Sequence, residues 1–248
     1  MKYRQILYSN YHTTQSGRAS LTTAKELFDR EALQFTQEIL PLLQGVPQEA
    51  HIFDLGCGSG SLLSALSNEG FTNISGMDLS EEQVDLAHSL GVNAVKQGNG
   101  LEYLETCEKQ FDVILGMDII EHFTKDELVE LLQKIKHALK PNGLAIFRTP
   151  NLDSPMATVF ANGDFTHENY MNASSAQQVL MAVGFSKVEV LSSFMRVSPI
   201  WKEWIRNFLY KCMVVRLKLQ LFATARSTRN IVFTPNMLIK ASNKKSTF

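Results

Sequence analysis

From His51 onward the chain alternates two kinds of apolar pattern. Short apolar runs, HIFDLG, NISGMDLS, NAVKQGN, FDVILGMD and LAIFRTPN, are each followed by a stretch whose apolar residues recur every three or four positions. Those stretches are SLLSALSNEG, EEQVDLAHSLG, LEYLETC, KDELVELLQKIKHALK and SSAQQVLMAVGF. The first kind predicts strands and the second helices. Strands that alternate with helices predict parallel strands joined by right-handed crossovers, because a parallel neighbour is reached only by crossing a face of the sheet. The pattern therefore predicts a doubly wound α/β fold. KVEVLSSF and VFTPNMLIKAS add a sixth and a seventh strand.

Two segments stand outside that alternation. Residues 1–49 read as an N-terminal cap, polar through about Thr23 and then helical in KELFDREALQFTQEILPLLQG, with an end near Gly45. Residues 197–230 form an insertion between the last two strands. Within it Trp201, Ile205, Phe208 and Cys212 recur at helical spacing, while Lys202, Arg206, Lys211, Arg216, Lys218, Arg226 and Arg229 face only Glu203 in opposite charge. This predicts a basic amphipathic helix. It can lie over the substrate side with its charged face solvated. It can also meet an acidic lipid, a carrier-linked sugar or a membrane surface through residues 200–222, or stack Trp201, Trp204 and Tyr210 on bases. The whole is predicted as one domain, with a core at 50–196 and the last strand and tail at 231–248.

Composition narrows the class. With 248 residues and 44% hydrophobic content the chain can bury a substantial core. Its 24 lysines and arginines nearly balance 25 aspartates and glutamates, which argues against a dedicated nucleic-acid binder. Cys57, Cys107 and Cys212 are odd in number and lack CxxC spacing, so neither a disulfide framework nor a zinc site is predicted. The start of the chain has no signal-peptide run, and nothing later is an uncharged membrane span. A cytoplasmic protein with reduced thiols is expected, with at most peripheral membrane contact.

The chemistry concentrates at strand ends. In IFDLGCGSG the glycines at 56, 58 and 60 let the backbone turn tightly and approach a ligand, and the helix that follows offers unpaired amide donors. The spacing differs from the dinucleotide pattern GxGxxG, since position 61 is serine. Asp78, in GMDLS, closes the second strand where a carboxylate can accept from both hydroxyls of a ribose.

DLGCGSG, MDLS, QGNG, FDVILGMDIIEHF and LKPNGLAIFRTPN, in that order and spacing, resemble the class I S-adenosylmethionine-dependent methyltransferases. The resemblance covers roughly Ala50 to Phe185. It implies a Rossmann-like, mostly parallel seven-stranded sheet and S-adenosylmethionine as cofactor. Asp54, Gly56, Gly58 and Gly60 would surround the methionine moiety, and Asp78, with Leu79 beside it, would take the ribose. Asn99 and Gly100 would lie beside the adenine, although many relatives carry an acidic residue where this chain has Asn99. Backbone near Met117 would flank the methionine amino group. Cys57 and Asp112 read as structural residues.

Methyl transfer from a sulfonium is an in-line displacement, so the protein must chiefly align acceptor and methyl. A hydroxyl acceptor also benefits from a base that takes its proton, and histidine suits that near neutral pH. His122 in MDIIEHF and His167 in GDFTHENY both follow strands on the carboxyl side, where open α/β sheets bind ligands. Either can be the base. Asp118, Glu121, His122 and His167 could instead hold a divalent ion, but no compact ligand motif is present and no metal is assigned. The segments from EHF through TPN to VLMAVGF are similar to enzymes that methylate hydroxyls of quinone precursors and of sugars in polysaccharide pathways. The Asn/Asp-Pro-Pro-aromatic motif of base-amine methylation is replaced by MDII, and the two-cysteine arrangement of base-carbon methylation is missing. The expected acceptor is a small-molecule, glycan or lipid-linked hydroxyl. A quinone precursor, or a non-catalytic cofactor-binding scaffold, is the alternative.

Overall fold

The structure, a computed structural model, describes residues 6–7, 24–194, 196–227 and 231–243. Most of the polar segment through Thr23, Arg229 and the tail beyond Asn243 lie outside the described residues. In chain order the elements are α1 (Ala24–Glu38), β1 (Ile52–Leu55), α2 (Ser61–Asn68), β2 (Ile74–Asp78), α3 (Glu81–Ser89), β3 (Val95–Gln97), α4 (Gly100–Glu105) and β4 (Phe111–Met117). Then come α5 (Lys125–Ala138), β5 (Leu139–Pro150), α6 (Ala157–Ala161), α7 (Ala173–Val183), β6 (Lys187–Ser192), α8 (Ile200–Ala223) and β7 (Asn236–Ser242).

The seven strands form one sheet in the order β3-β2-β1-β4-β5-β7-β6. Strands β1 to β5 pair in parallel, while β7 runs antiparallel between β5 and β6. The order reverses between β1 and β4, which opens a crevice outside their carboxyl ends. Side-chain alternation along the central strands builds a layer on each face. Phe53, Ile114 and Phe147 point into the layer that holds Leu131 and Ile135 of α5 and Leu180 of α7. Their chain neighbours Ile52, Val113, Leu115 and Ile146 point into the other layer, with Phe35 of α1, Leu62 and Leu66 of α2 and Val84 of α3. Strands β1 and β4 are apolar on both faces because helices cover both.

The N-terminal cap is seated on the second layer. Ile39 is buried, Ser61 Oγ donates to Glu31 Oε2 at 3.1 Å, and Lys240 Nζ donates to the Leu42 carbonyl at 2.7 Å. The helix does not run unbroken toward Gly45. It ends at Glu38 and a 3-10 turn follows at Leu40–Leu43. Pro41 has no N–H to continue the ladder. Helix α5 begins on a capping box, with Thr124 Oγ1 accepting from Glu127 N and the Glu127 carboxylate accepting from Thr124 N at 2.8 Å.

Helix α8 forms over 24 residues with neither glycine nor proline in it, as its periodicity predicts. No residue of it is buried. The reading in which its apolar side packs over the substrate crevice is therefore not what the fold shows. Its seat on the body is narrow, with the Tyr210 ring 4.7 Å from the Phe194 ring and the Arg206 guanidinium 4.7 Å from that same ring. Among the described residues no helix is long and apolar enough to cross a membrane.

Candidate active site

A cavity of about 590 Å³ opens at the carboxyl ends of β1, β2 and β4, within the range of roughly 300–1,000 Å³ usual for small-molecule sites. Its glycine wall comes from the β1–α2 turn. Gly56 and Gly58 hold φ of 68° and 51°, a backbone region that a Cβ disfavours. A Cβ on Gly56 would also run into the Ile119 side chain, whereas one on Gly58 would meet only Gln83 Oε1 at 3.8 Å. Gly60 plays a different part. It stands at the N-terminus of α2, away from the cavity lining, and a Cβ there would press on Val92 and Val95 at 2.9 Å.

Asp78 faces the cavity from the end of β2. Its Oδ2 accepts from Gly58 N at 2.8 Å and its Oδ1 from Ser80 N at 2.9 Å, so the carboxylate ties the glycine turn to β2. The backbone amides of Gly58, Ser80 and Leu79 all favour the charged form of this carboxylate, and a carboxylate's remaining acceptor capacity suits the hydroxyls of a vicinal diol. Burial raises the Asp78 pKa, and the amides of Ser80, Gly58 and Leu79 oppose that shift. Asp54 lies under the turn, outside the lining, with its Oδ1 buried and without a hydrogen-bond partner among the described residues. Burial, then the nearby Asp78, pushes its pKa well up. Burial likewise pushes up the Cys57 thiol, which is a packing residue here as its place in the motif suggests.

Leu79, Asn99 and Gly100 all line the cavity. Asn99 Oδ1 also caps α4 by accepting from Leu101 N at 3.0 Å, and its amide donates to Glu102 Oε1 at 2.9 Å. Met117 is buried in the layer beside Leu115, and its successors Asp118 and Ile119 reach the cavity in its place. Asp118 holds a left-handed φ of 52°. Its carboxylate is gripped by Arg148, whose Nε lies 3.0 Å from both oxygens and whose Nη2 is paired with Oδ2. Arg148 Nη1 reaches the buried Glu38 Oε2 at 3.3 Å, so one buried arginine joins the cavity wall to α1. Sequence reasoning left out this arginine. An arginine inside the apolar run LAIFRTP was the available signal, but its partner Glu38 lies 110 residues away.

The two histidines meet, and they do not stand equally. Their rings are 4.8 Å apart, edge to face, yet His122 lines the cavity and His167 does not. His167 Nδ1–H donates to the Ala161 carbonyl at 2.7 Å. His122 Nδ1 lies 2.9 Å from Thr166 Oγ1, whose hydroxyl donates to Asp164 Oδ1 at 2.7 Å. A hydroxyl has one hydrogen, so with that hydrogen on the carboxylate its oxygen accepts from His122 Nδ1–H. This tautomer puts the ring's lone pair on Nε2. Burial, then His167, lowers the His122 pKa below its ordinary 6.5, which keeps the ring neutral at physiological pH.

The GDFTHENY loop is held against this turn by backbone. The Glu121 carbonyl accepts from Glu168 N at 2.8 Å and Asn169 N at 3.0 Å. The buried Glu121 side chain accepts from Thr149 Oγ1 at 3.1 Å, and burial, then Asp118, raises its pKa well above the ordinary range. Glu121, His122 and His167 bring one ligand atom each to within 4.8 Å of one another, a mixed oxygen and imidazole set that suits several divalent ions. Asp118 is not part of that set, since Arg148 takes its carboxylate.

A glycine turn after the first strand and a carboxylate closing the second, both facing the crevice where strand order reverses, define a nucleoside-cofactor fold of the class I methyltransferase kind. The chain belongs to the family described as "Methyltransferase domain", whose sequence model matches residues 25–190. It is similar to a "Ubiquinone biosynthesis O-methyltransferase" of Rickettsia bellii, 31% identical over 109 residues that cover 42% of this chain and 43% of the relative. One of the same name from Hydrogenovibrio crunogenus is 26% identical over 149 residues, 54% of this chain and 61% of the relative. The matched stretches thus span 43% and 61% of these curated relatives. In fold the chain is similar to a methyltransferase from Archaeoglobus fulgidus, with a TM-score of 0.64, 19% identity and coverage of 87% and 94% of the two chains. It is also similar to phosphoethanolamine N-methyltransferase 2 of Haemonchus contortus, with a TM-score of 0.59, 18% identity and coverage of 96% and 60%.

Proposed function

We propose that this chain is an enzyme that uses S-adenosylmethionine to methylate a hydroxyl of a small-molecule acceptor, with His122 as the base. The observation that carries this reading is His122 at the cavity wall, oriented by Thr166 and Asp164. The names of the ubiquinone-biosynthesis relatives support oxygen as the acceptor atom, and a solved neighbour in complex with S-adenosyl-L-methionine supports the cofactor. Asp78 and the open turn at Gly58 would hold the ribose and the methionine chain, and Leu79 and Asn99 would border the base. When bound, the cofactor supplies a methyl group on an activated sulfonium. The protein then aligns the acceptor oxygen with that methyl, and His122 Nε2 receives the hydroxyl proton. A quinone-precursor hydroxyl is the first candidate, and a glycan or lipid-linked hydroxyl the second.

The test is release of S-adenosylhomocysteine from a screen of catechols and sugar nucleotides, run with wild type and His122→Ala. General-base loss predicts a fall in kcat of roughly a hundredfold or more. Because the base must be neutral, the wild-type rate should rise with pH through a value below 6.5 and level off at neutrality. Wild-type turnover by His122→Ala across neutral pH would remove the histidine from the mechanism. Cofactor binding without turnover on any hydroxylated acceptor would favour the scaffold reading. Loss of turnover in EDTA, restored by added magnesium or manganese, would assign Glu121, His122 and His167 to an ion instead.

A further inference from the structure

Helix α8 presents an outer face that the rest of the described chain does not cover. At 3.6 residues per turn, Trp201, Trp204, Phe208, Val215, Leu219 and Phe222 fall in one stripe. These are large apolar groups left in water: Trp204 is 73% exposed, Phe208 67% and Phe222 80%. The half-buried residues, among them Arg206, Tyr210, Met213 and Leu217, fall on the opposite side and mark the face turned to the body. A helix that hid its apolar stripe in its own domain would show the reverse.

The margins of the stripe identify what covers it. Lys211 and Lys218 border one edge and Lys202 and Arg216 the other, all exposed. The helix's acid, Glu203, is turned inward and spent on Arg206, at 2.5 Å. The outer face therefore carries cations alone, in a chain whose overall charge is −1. An apolar stripe with aromatic rings at both ends and positive charge along both margins matches the boundary of an anionic bilayer, where rings and methyls enter the acyl edge and ammonium groups meet the headgroups. The helix is about 36 Å long by its rise per residue, yet too polar to span, so it lies in the plane of the surface. A second copy would set the same cationic margins against each other.

We infer that α8 is a membrane-docking helix that seats this protein on anionic lipid through its Trp201–Phe222 stripe. The inference does not depend on the methyl-transfer reading. Both tryptophans of the chain lie in this stripe, so intrinsic fluorescence reports on it directly. The full chain is titrated with vesicles of phosphatidylcholine alone and of phosphatidylcholine with phosphatidylglycerol, followed by tryptophan emission and sedimentation. The expected result is a blue shift and co-sedimentation on the anionic vesicles at low salt. Both should weaken as salt rises, since screening length falls from about 10 Å at 0.1 M to about 3 Å at 1 M. Each charge removed should weaken binding about fivefold, so Lys211→Gln with Lys218→Gln should cost roughly thirtyfold. Trp204→Ser with Phe208→Ser should abolish partition and leave thermal unfolding unchanged, because no residue of α8 is buried. Absence of binding at low salt would overturn the inference, as would equal, salt-insensitive binding to both vesicles. A dimer in light scattering that Phe208→Ser dissociates, with vesicles left unbound, would assign the face to a second copy.

Discussion

Arg148→Met tests how the cavity wall is tied to the N-terminal helix. Methionine keeps much of the apolar length of the side chain that lies against Phe35, whose ring is 4.8 Å from the guanidinium, and removes the charge. Two carboxylates lose their cation, and they do so in different surroundings. The Glu38 side chain is 2% exposed, whereas that of Asp118 is 41% exposed and regains water. Removing one member of a buried pair costs roughly 3–5 kcal/mol, while an exposed partner contributes at most about 1 kcal/mol. Glu38 retains bonds from Ser193 Oγ at 2.6 Å and from Gln34 Nε2 at 3.2 Å, which places the expected loss near the lower end, about 3 kcal/mol. At roughly 2–4 °C per kcal/mol for a chain of this size, Tm should fall by about 6–12 °C. The assay is urea unfolding followed by circular dichroism, with Arg148→Met, Glu38→Gln and the double variant in one cycle. If the stranded charge is the cause, the double variant is more stable than Arg148→Met alone. The single variant should also bind S-adenosylhomocysteine more weakly, since Asp118 loses the grip that holds its left-handed backbone at the cavity. A loss under about 1 kcal/mol, the scale of a surface pair, or a double variant no more stable than the single, would refute the reasoning.

Two further outcomes follow from the site. Asp78→Ala should weaken cofactor binding in isothermal titration by on the order of 1.5–3 kcal/mol for each charge-assisted bond lost, and an unchanged affinity would contradict the ribose role. Asp54→Asn should change how stability depends on pH. The folded pKa of Asp54 lies above its ordinary 3.8, because burial and Asp78 disfavour the charge. The folded chain then holds a proton that the unfolded chain releases, so this contribution is complete below about 4 and is lost as pH rises through the folded value. Asparagine does not titrate. The Tm gain of Asp54→Asn over wild type should therefore grow between pH 5 and pH 8 in a thermal melt, and a constant difference would sink the assignment.

Much of the fold was legible because local pattern and global layer agree. The short runs IFDL, FDVILGM and LAIFRTP could only be central strands once helices were seen to alternate with them, and the crossover rule then dictated parallel pairing. The strand order, with antiparallel β7 between β5 and β6, depended on the tertiary structure, because pairing partners are chosen by packing across distances that no local period encodes. At the site, the glycine turn and Asp78 were legible because each is set by geometry within a few residues of itself. The division between Gly58, which faces the cavity, and Gly60, which yields room to Val92 and Val95, was not, since it depends on what packs opposite.

The sequence by itself determined the elements, the crevice and the candidate chemistry, for these follow from periodicity and from residue types that suit strand ends. Only the tertiary structure decided which histidine reaches the cavity, through a Thr166 bond spanning 44 residues, and which two carboxylates Arg148 joins. The same holds for α8. Its amphipathic period was plain in the chain, but which face met the body and which met solvent was set by the ring contact of Tyr210 with Phe194. Local sequence specifies what a segment can be, and long-range packing chooses which of its faces and polar groups are left to act.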